Sequence, residues 1–247
     1  MICIPSHDGR VSADTFYAVY GALLSGARPI FWMHARSSLL TYNCNKMLAQ
    51  TLDLKKELGL RYFVLLHSDI IPIEAEKWLE MMIGEMEKGP YDLITAISPL
   101  KSAEELTSTA WRIPIKDDKG NRIGNELHRM SFDDYKRLPA TFTKEILQQN
   151  FDLPEDFDFI MNTALMVVDL DSPFMNEPDR QPVCFHTNDF MIRDRNGKHF
   201  PVCESEDWFF TQMAQNLGAR VAATQKVRLF HEGVWRFASW ESNVRQV

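Results

Sequence analysis

The stretch RYFVLLHSDIIP, Arg61 to Pro72, runs a block of apolar residues, Tyr62 to Leu66, straight into His67, Ser68 and Asp69. An open α/β sheet binds its ligands in the crevice beyond the carboxyl ends of its strands, so a carboxylate emerging there is placed to hold a metal or a phosphate. The same residues also make an ordinary turn, with Asp69 and Pro72 as turn formers. The segment alone leaves both options open.

Upstream, Ile2 to Pro5 predicts a strand. A polar loop to Arg10 follows, then a helix from Asp14 to about Ser25, where Phe16, Val19, Tyr20, Leu23 and Leu24 recur at helical spacing and Gly26 closes the end. Pro29 to Met33 predicts a short strand, His34 to Ser37 a polar break, and Leu39 to Leu58 a helix ending before Gly59. This β-α-β-α-β rhythm argues for a parallel sheet. Downstream, Glu74 to Lys88 reads as an amphipathic helix and Tyr91 to Ile97 as a strand. Periodicity then decays. Pro99, Pro114, Gly120, Gly124 and Pro139 punctuate a polar stretch, so residues 98–157 are expected to be an irregular insertion with a hairpin-like turn at KDDKGNRIG, of the kind that covers a site. Order returns with FIMNTALMVVDL, a strand interrupted at Asn162 and Thr163; 174–182 reads as loop, and a hairpin is expected around Asn196 and Gly197. The helix opened by ESEDWFF precedes short strands at Arg220 to Ala223 and Val227 to Phe230.

The 247 residues, 45% of them hydrophobic, are enough for one sizeable core, and a single domain spanning 1–247 is expected. Net charge is −7, from 27 basic and 34 acidic residues, with no Lys/Arg run to follow a nucleic-acid backbone, which excludes nucleic acid as the expected partner. The opening MICIPSHDGR reads as a strand, not a signal peptide. No apolar run approaches the roughly 18 residues of a membrane span. Cys3, Cys44, Cys184 and Cys203 have no disulfide-scaffold spacing, which fits a reducing, cytoplasmic setting.

A second polar cluster, Glu204 to Asp207, stands ahead of an apolar helix. Acidic residues are favoured in a helix's first turn, and a plain N-terminus capped by Ser205 would explain one or two of them. It does not explain their company, because a later strand ends on His231, Glu232 and Gly233. Asp69, Glu206 or Asp207, and His231 supply what metal-assisted group transfer needs: oxygen and imidazole ligands, and a free carboxylate to take a proton. Mg²⁺ or Mn²⁺ suits the carboxylates, and a histidine ligand tilts the choice toward Mn²⁺.

The order of Pro5-Ser6 at a strand end, FVLLHSDIIP, MNTALMVVDL, SEDWFFTQMAQNLGARV and LFHEG resembles the type A glycosyltransferases (GT-A fold), nucleotide-diphospho-sugar transferases. The resemblance covers most of the chain and is weakest between Ser98 and Phe157. It implies an α/β, single-domain, GT-A-like (Rossmann-like) architecture with a mostly parallel central sheet flanked by helices. It also implies a metal-dependent transfer of a sugar from a nucleotide-sugar donor to a hydroxyl acceptor, whether glycan, lipid, protein or small molecule. Asp69 matches the last carboxylate of the family's Asp-x-Asp motif, and His67 stands where its first Asp is usual. His231 resembles the late histidine of the metal site, which makes Asp69, His231 and His67 the candidate metal set. Asp207, then Glu206, matches the general base of inverting members. Pro5, Ser6, Asp8, Arg10, Arg36, Asn43 and Ser68 fall on donor-binding positions, with Tyr42 where an Arg is common. Asn162 and Thr163 fall on the acceptor side, where Trp208, Trp235 and Trp240 could stack on a sugar ring.

Three other readings compete. Cys184, His186, His199 and Cys203 could close a structural zinc site. His67 in place of an acid suits a sugar- or nucleotide-binding module without catalysis. A nucleotidyltransferase would also use carboxylates on an α/β sheet, but PSHDGR lacks the glycine-rich basic loop such enzymes bring.

Overall fold

A computed structural model describes residues 1–25, 30–102, 106–176, 182–193, 197–233, 235–238 and 245–246, with residues 192, 235–238 and 245–246 described by backbone alone. The chain begins β1 (Ile2–Ser6), α1 (Ala13–Leu24), β2 (Trp32–Arg36), α2 (Leu40–Leu58), β3 (Tyr62–Leu66), β4 (Ile70–Pro72), α3 (Trp78–Lys88) and β5 (Leu93–Ala96). It continues β6 (Leu106–Lys116), β7 (Arg122–Ser131), α4 (Phe132–Tyr135), β8 (Thr141–Phe142), α5 (Lys144–Phe151), β9 (Asp158–Ile160), β10 (Leu165–Asp169) and α6 (Pro173–Asn176). Then follow β11 (Asn188–Arg193), β12 (His199–Glu204), α7 (Glu206–Asn216), β13 (Val221–Thr224), β14 (Leu229–Glu232), β15 (Trp235–Ala238) and β16 (Arg245–Gln246).

A seven-stranded sheet in the order β2-β1-β3-β10-β5-β13-β8 forms the centre. The β2-β1-β3 and β5-β13 neighbours run parallel, while β10, wedged between β3 and β5, and β8 at the edge run antiparallel. Helices cover both faces, so the central strands read as continuous apolar runs. Phe63 and Leu65 point into one core with Cys44, Met47 and Phe210, while Tyr62, Val64 and Leu66 point into another with Val19, Trp78 and Met82. The architecture is mixed α/β, with a large, mostly parallel sheet flanked by helices in the Rossmann-like manner. Among the described residues no helix is long and apolar enough to cross a membrane.

The structure corrects three expectations. First, the supposed irregular insertion is ordered: β6 and β7 form a long antiparallel hairpin, α5 follows, and β9 then adds to the hairpin. Its signal was hidden because β7 is largely exposed and bulges near Leu106 and Ile115 break the alternation that marks a strand. The expected turn is present, with Asp117 accepting from the Lys119 and Asn121 amides and Gly120 at φ +82°. Second, FIMNTALMVVDL is two strands in two sheets, β9 against β6 and β10 in the centre. Third, β2 lies three residues later than Pro29 to Met33, because it is an edge strand in register with Ile2–Ser6, and an edge tolerates the polar His34 and Arg36. Gly26, expected to end α1, lies outside the described residues, as does Asn196, expected in the turn of a hairpin.

Gly21 shows how closely α1 seats. A Cβ there would stand 2.5 Å from the Ala75 carbonyl oxygen. Alanine is favoured over glycine in a helix by about 1 kcal/mol, but a clash with backbone costs about 1–3 kcal/mol. Gly21→Ala is therefore expected to destabilise the fold, measured as a lower urea midpoint at unchanged slope. A raised midpoint would contradict the packing described.

Candidate functional site

The carboxyl ends of β1, β3 and β5 and the amino end of the antiparallel β10 share one edge of the sheet, so residues 6–12, 67–69, 97–101 and 162–164 converge there. Backbone bonds tie these loops together. The Ser12 amide donates to the Ser68 carbonyl at 2.8 Å, and the His67 amide to Ala164 at 2.9 Å. Two cavities lie elsewhere, one of about 530 Å³ among Tyr91, Lys144, Gln215 and Arg220 and one of about 710 Å³ between β2 and α2. The convergent polar groups, not the volumes, mark the edge as the candidate site.

Asp69 closes the turn after β3. The next residue, Ile70, pairs with His231 of β14, and the Glu232 amide donates to the Asp69 carbonyl at 2.8 Å. This pairing brings His231 Nε2 to 3.5 Å from Asp69 Oδ2, while the Lys101 ammonium donates to the same oxygen at 2.5 Å. Burial opposes ionisation of Asp69, but the hydrogen bond and charge of His231, joined by Lys101, outweigh it and hold the carboxyl well below its usual range. His231 Nδ1 lies 2.8 Å from the Pro99 carbonyl, which can only accept, so Nδ1 carries a proton and Nε2 is the ring atom presented to Asp69.

On the other side of the same turn, α7 begins at Glu206 and Asp207. Ser205 is in the N-cap position but makes no side-chain cap bond. The first-turn carboxylates face inward instead: the Thr163 hydroxyl donates to Asp207 Oδ1, and Glu206 lies within electrostatic reach of His67 and hydrogen-bonds Thr187. Burial, with the adjacent charge of Asp207, raises the Glu206 carboxyl above its ordinary pKa. The turn thus serves two clusters, with Asp69 facing Lys101 and His231, and His67 on the side of Glu206 and Asp207.

The expected metal set is therefore split. Asp69 and His231 come together, whereas His67 stays apart with its Nε2 buried and without a partner. Among the described residues no three His, Cys, Asp or Glu side chains gather as a metal site. That holds equally for Cys184, His186, His199 and Cys203, so the zinc alternative is not assembled; Cys203 is exposed and His186 packs edge-on against Phe209. Asp69 and His231 alone still fit a divalent ion. They bring an oxygen and a nitrogen to one spot, the imidazole oriented through its other nitrogen, a mixed donor pair that suits Mn²⁺ better than Mg²⁺ and would leave positions for water and phosphate.

Other expected residues divide between open and internal roles. Pro5 and Ser6 are buried in β1, and the Ser6 hydroxyl is spent on its own loop, donating to the Arg10 carbonyl at 2.8 Å and accepting from the Gly9 amide at 2.9 Å. Asp8 accepts from the Arg10 amide, and the Arg10 side chain is open to solvent. The Arg36 side chain lies over Gly9, whose φ of +86° is a conformation that favours glycine. Ser68 contributes its carbonyl to the loop tie. Asn43 and Asn162 serve the framework: Asn43 Nδ2 donates to the Ser6 carbonyl, and Asn162 bonds Ala96, Thr109 and Ala164. Trp208 Nε1 donates to the Ser108 carbonyl and its ring lies under Arg129, so that face is already covered. Trp235 is described only by its place in β15, and Trp240 lies outside the described residues. Lys101, Thr187 and Arg112 were not expected. Arg112, mostly buried, bridges Glu204 at 2.5 Å and Asp158 at 3.3 Å and anchors the approach to α7.

No family model matches the chain, and no curated protein matches it. Among solved structures, A197 from STIV is similar at 12% identity and a TM-score of 0.54, over 99% of this chain and 92% of that one. CMP:2-keto-3-deoxy-manno-octonic acid synthetase, complexed with CTP, matches at 10% identity over 69% of this chain and 74% of that one, with a TM-score of 0.31. The first likeness is one of fold, and the second is too low to support any argument.

Proposed function

We propose that the chain is a glycosyltransferase of the type A fold, moving a sugar from a nucleotide-diphosphate donor to an acceptor hydroxyl. The observation that carries this is the two-sided turn after β3, with Asp69, Lys101 and His231 clustered on one side and a pair of carboxylates on the other. The first suits a departing diphosphate, since Lys101 supplies positive charge, and Arg36 and Arg10 add guanidinium groups at the β1 loop. Asp69 and His231 would hold Mn²⁺ or Mg²⁺, which when bound would neutralise the leaving group.

The second cluster suits proton removal. The family resemblance favours Asp207 over Glu206 as base. The surroundings support the reverse order, because the Thr163 hydroxyl engages Asp207 whereas burial and the charge of Asp207 raise the proton affinity of Glu206, which makes it the stronger base. In the step proposed, Glu206 takes the acceptor's hydroxyl proton. The acceptor oxygen bonds to the anomeric carbon as the bond from that carbon to phosphate breaks, and the nucleoside diphosphate leaves with the electron pair. Displacement in one step inverts the anomeric centre.

Calorimetric titration with UDP, GDP and CDP in the presence of Mn²⁺ tests the donor half. At least one is expected to bind, and Asp69→Ala to weaken it about tenfold or more, equal to about 1.4 kcal/mol. Absence of binding by all three, or an unchanged affinity in the variant, would overturn the proposal. Binding of the sugar nucleotide with neither hydrolysis nor transfer would make the chain a binding module.

A further inference from the structure

The helix α1 and the edge strand β2 expose an apolar surface that the candidate site does not use. Phe16, Tyr17, Tyr20, Leu24, Phe31 and Trp32 are between 37% and 65% exposed, led by Tyr17 at 65% and Leu24 at 63%. They are contiguous: Phe16, Tyr20 and Leu24 follow at one-turn intervals, and the Phe16 and Trp32 rings meet edge-on with centroids 6.3 Å apart. At roughly 200 Å² per aromatic side chain, the exposed fractions offer on the order of 600 Å² of apolar surface. That is the upper end of the largest patch on an ordinary monomer. It approaches the roughly 800 Å² that each partner brings to a standard interface.

We propose that this face pairs with a second copy of the chain, through antiparallel addition of β2 to β2. Backbone geometry argues for this occupant. Phe31 accepts from the Ile2 amide at 2.8 Å and Ser37 donates to the Ser6 carbonyl at 3.2 Å. The alternation of a parallel ladder then turns Met33 and Ala35 toward β1 as well, and the N–H and C=O groups of Trp32, His34 and Arg36 outward. Among the described residues no strand pairs with that outer edge. A two-fold axis at His34 sets His34 against its own copy and Trp32 of one copy against Arg36 of the other, so every outward residue meets an outward residue. The flanking α1 faces then add their aromatic surface. Charge disfavours an anionic lipid surface as the occupant. Ala13–Leu24 contains no Lys or Arg, and the chain carries −7 overall. This pairing is independent of the transferase proposal.

Sedimentation velocity across the micromolar range tests it on the full chain. Wild type is expected to form a species of twice the chain's mass. Two variants are each expected to raise its dissociation constant about tenfold or more. His34→Pro removes an outward donor without touching the bonds to β1, and Tyr17→Glu with Tyr20→Glu places charge on exposed positions only. Circular dichroism checks folding, and the tyrosine variant decides the matter if the proline variant does not fold. A wild type that stays monomeric, a dimer that a folded variant leaves intact, or a monomer that sediments with phosphatidylserine vesicles overturns the proposal.

Discussion

Glu206→Gln is expected to lower sugar transfer by about 10²- to 10⁴-fold, the usual contribution of a positioned general base, while leaving donor affinity within twofold or so. A base works only when deprotonated, so wild-type turnover falls as pH drops through the Glu206 pKa. Burial and the neighbouring charge of Asp207 raise that pKa, which places the acidic limb of the profile above the ordinary glutamate range. Asp207→Asn removes one of the two causes, so its limb shifts to lower pH, whereas Glu206→Gln abolishes it. A limb that Asp207→Asn leaves in place would refute the electrostatic coupling of the pair. Stability supplies a readout that needs no substrate. A carboxyl with a raised folded-state pKa favours folding below its unfolded pKa, and this advantage is lost as pH rises through the folded one. At neutral pH the ionised Glu206 is therefore a burden, and Glu206→Gln is expected to melt higher than wild type there and not in acid. Loss of activity with a gain of stability would mark a site held at the expense of the fold.

The opposite edge of the sheet gives the second large effect. Asp92 is buried ahead of β5 and accepts from the Arg220 amide at 2.8 Å, from the Arg220 guanidinium at 3.0 Å through two nitrogens, and from the Ser172 hydroxyl at 3.0 Å. Asp92→Ala is expected to cost about 3 kcal/mol, because it strands the Arg220 amide and the Ser172 hydroxyl; Arg220, half exposed, can recover water. For a chain of this size that is a fall of roughly 6–12 °C in Tm. Burial resists ionisation of Asp92, but the bonds from Arg220 and Ser172 prevail and its pKa is lowered. Lowered pKa values at Asp69 and Glu85 act in the same sense. Their stabilisation is full above the unfolded carboxylate range near about pH 4 and drains away as pH falls through the lower folded values. Wild type should lose stability steeply in acid, and Asp92→Ala should show a shallower slope. Parallel slopes would exclude Asp92 as a source.

What could be read from the sequence depended on where each segment is buried. The strands β1, β3 and β10 lie between two helical layers, so their apolar runs stood out, as did α2 with Gly59 in the left-handed conformation that ends it. The β6-β7 hairpin escaped because it packs on no second layer over much of its length and carries Pro114 inside a strand. At the candidate site, Asp69, His231 and the Glu206-Asp207 pair could be found because carboxylates and imidazoles at element ends stand out by chemistry alone. Lys101 could not, since a single lysine in a polar stretch resembles any solvated lysine until Asp69 is seen beside it. Asn43 and Asn162 are both buried, and their side-chain amides bond backbone carbonyls. A buried asparagine that satisfies backbone groups looks, in sequence, like one that awaits a ligand.

The partnership of Asp69 with His231 also constrains when the site can exist. The two residues stand 162 positions apart in the chain, and the short sheet that aligns them needs both β4 and β14. At about 5–20 residues per second, β14 leaves the ribosome roughly 10–30 s after Asp69 does. Through that interval the nascent chain can already pair β1, β2 and β3, with a carboxylate whose imidazole partner has not yet been made.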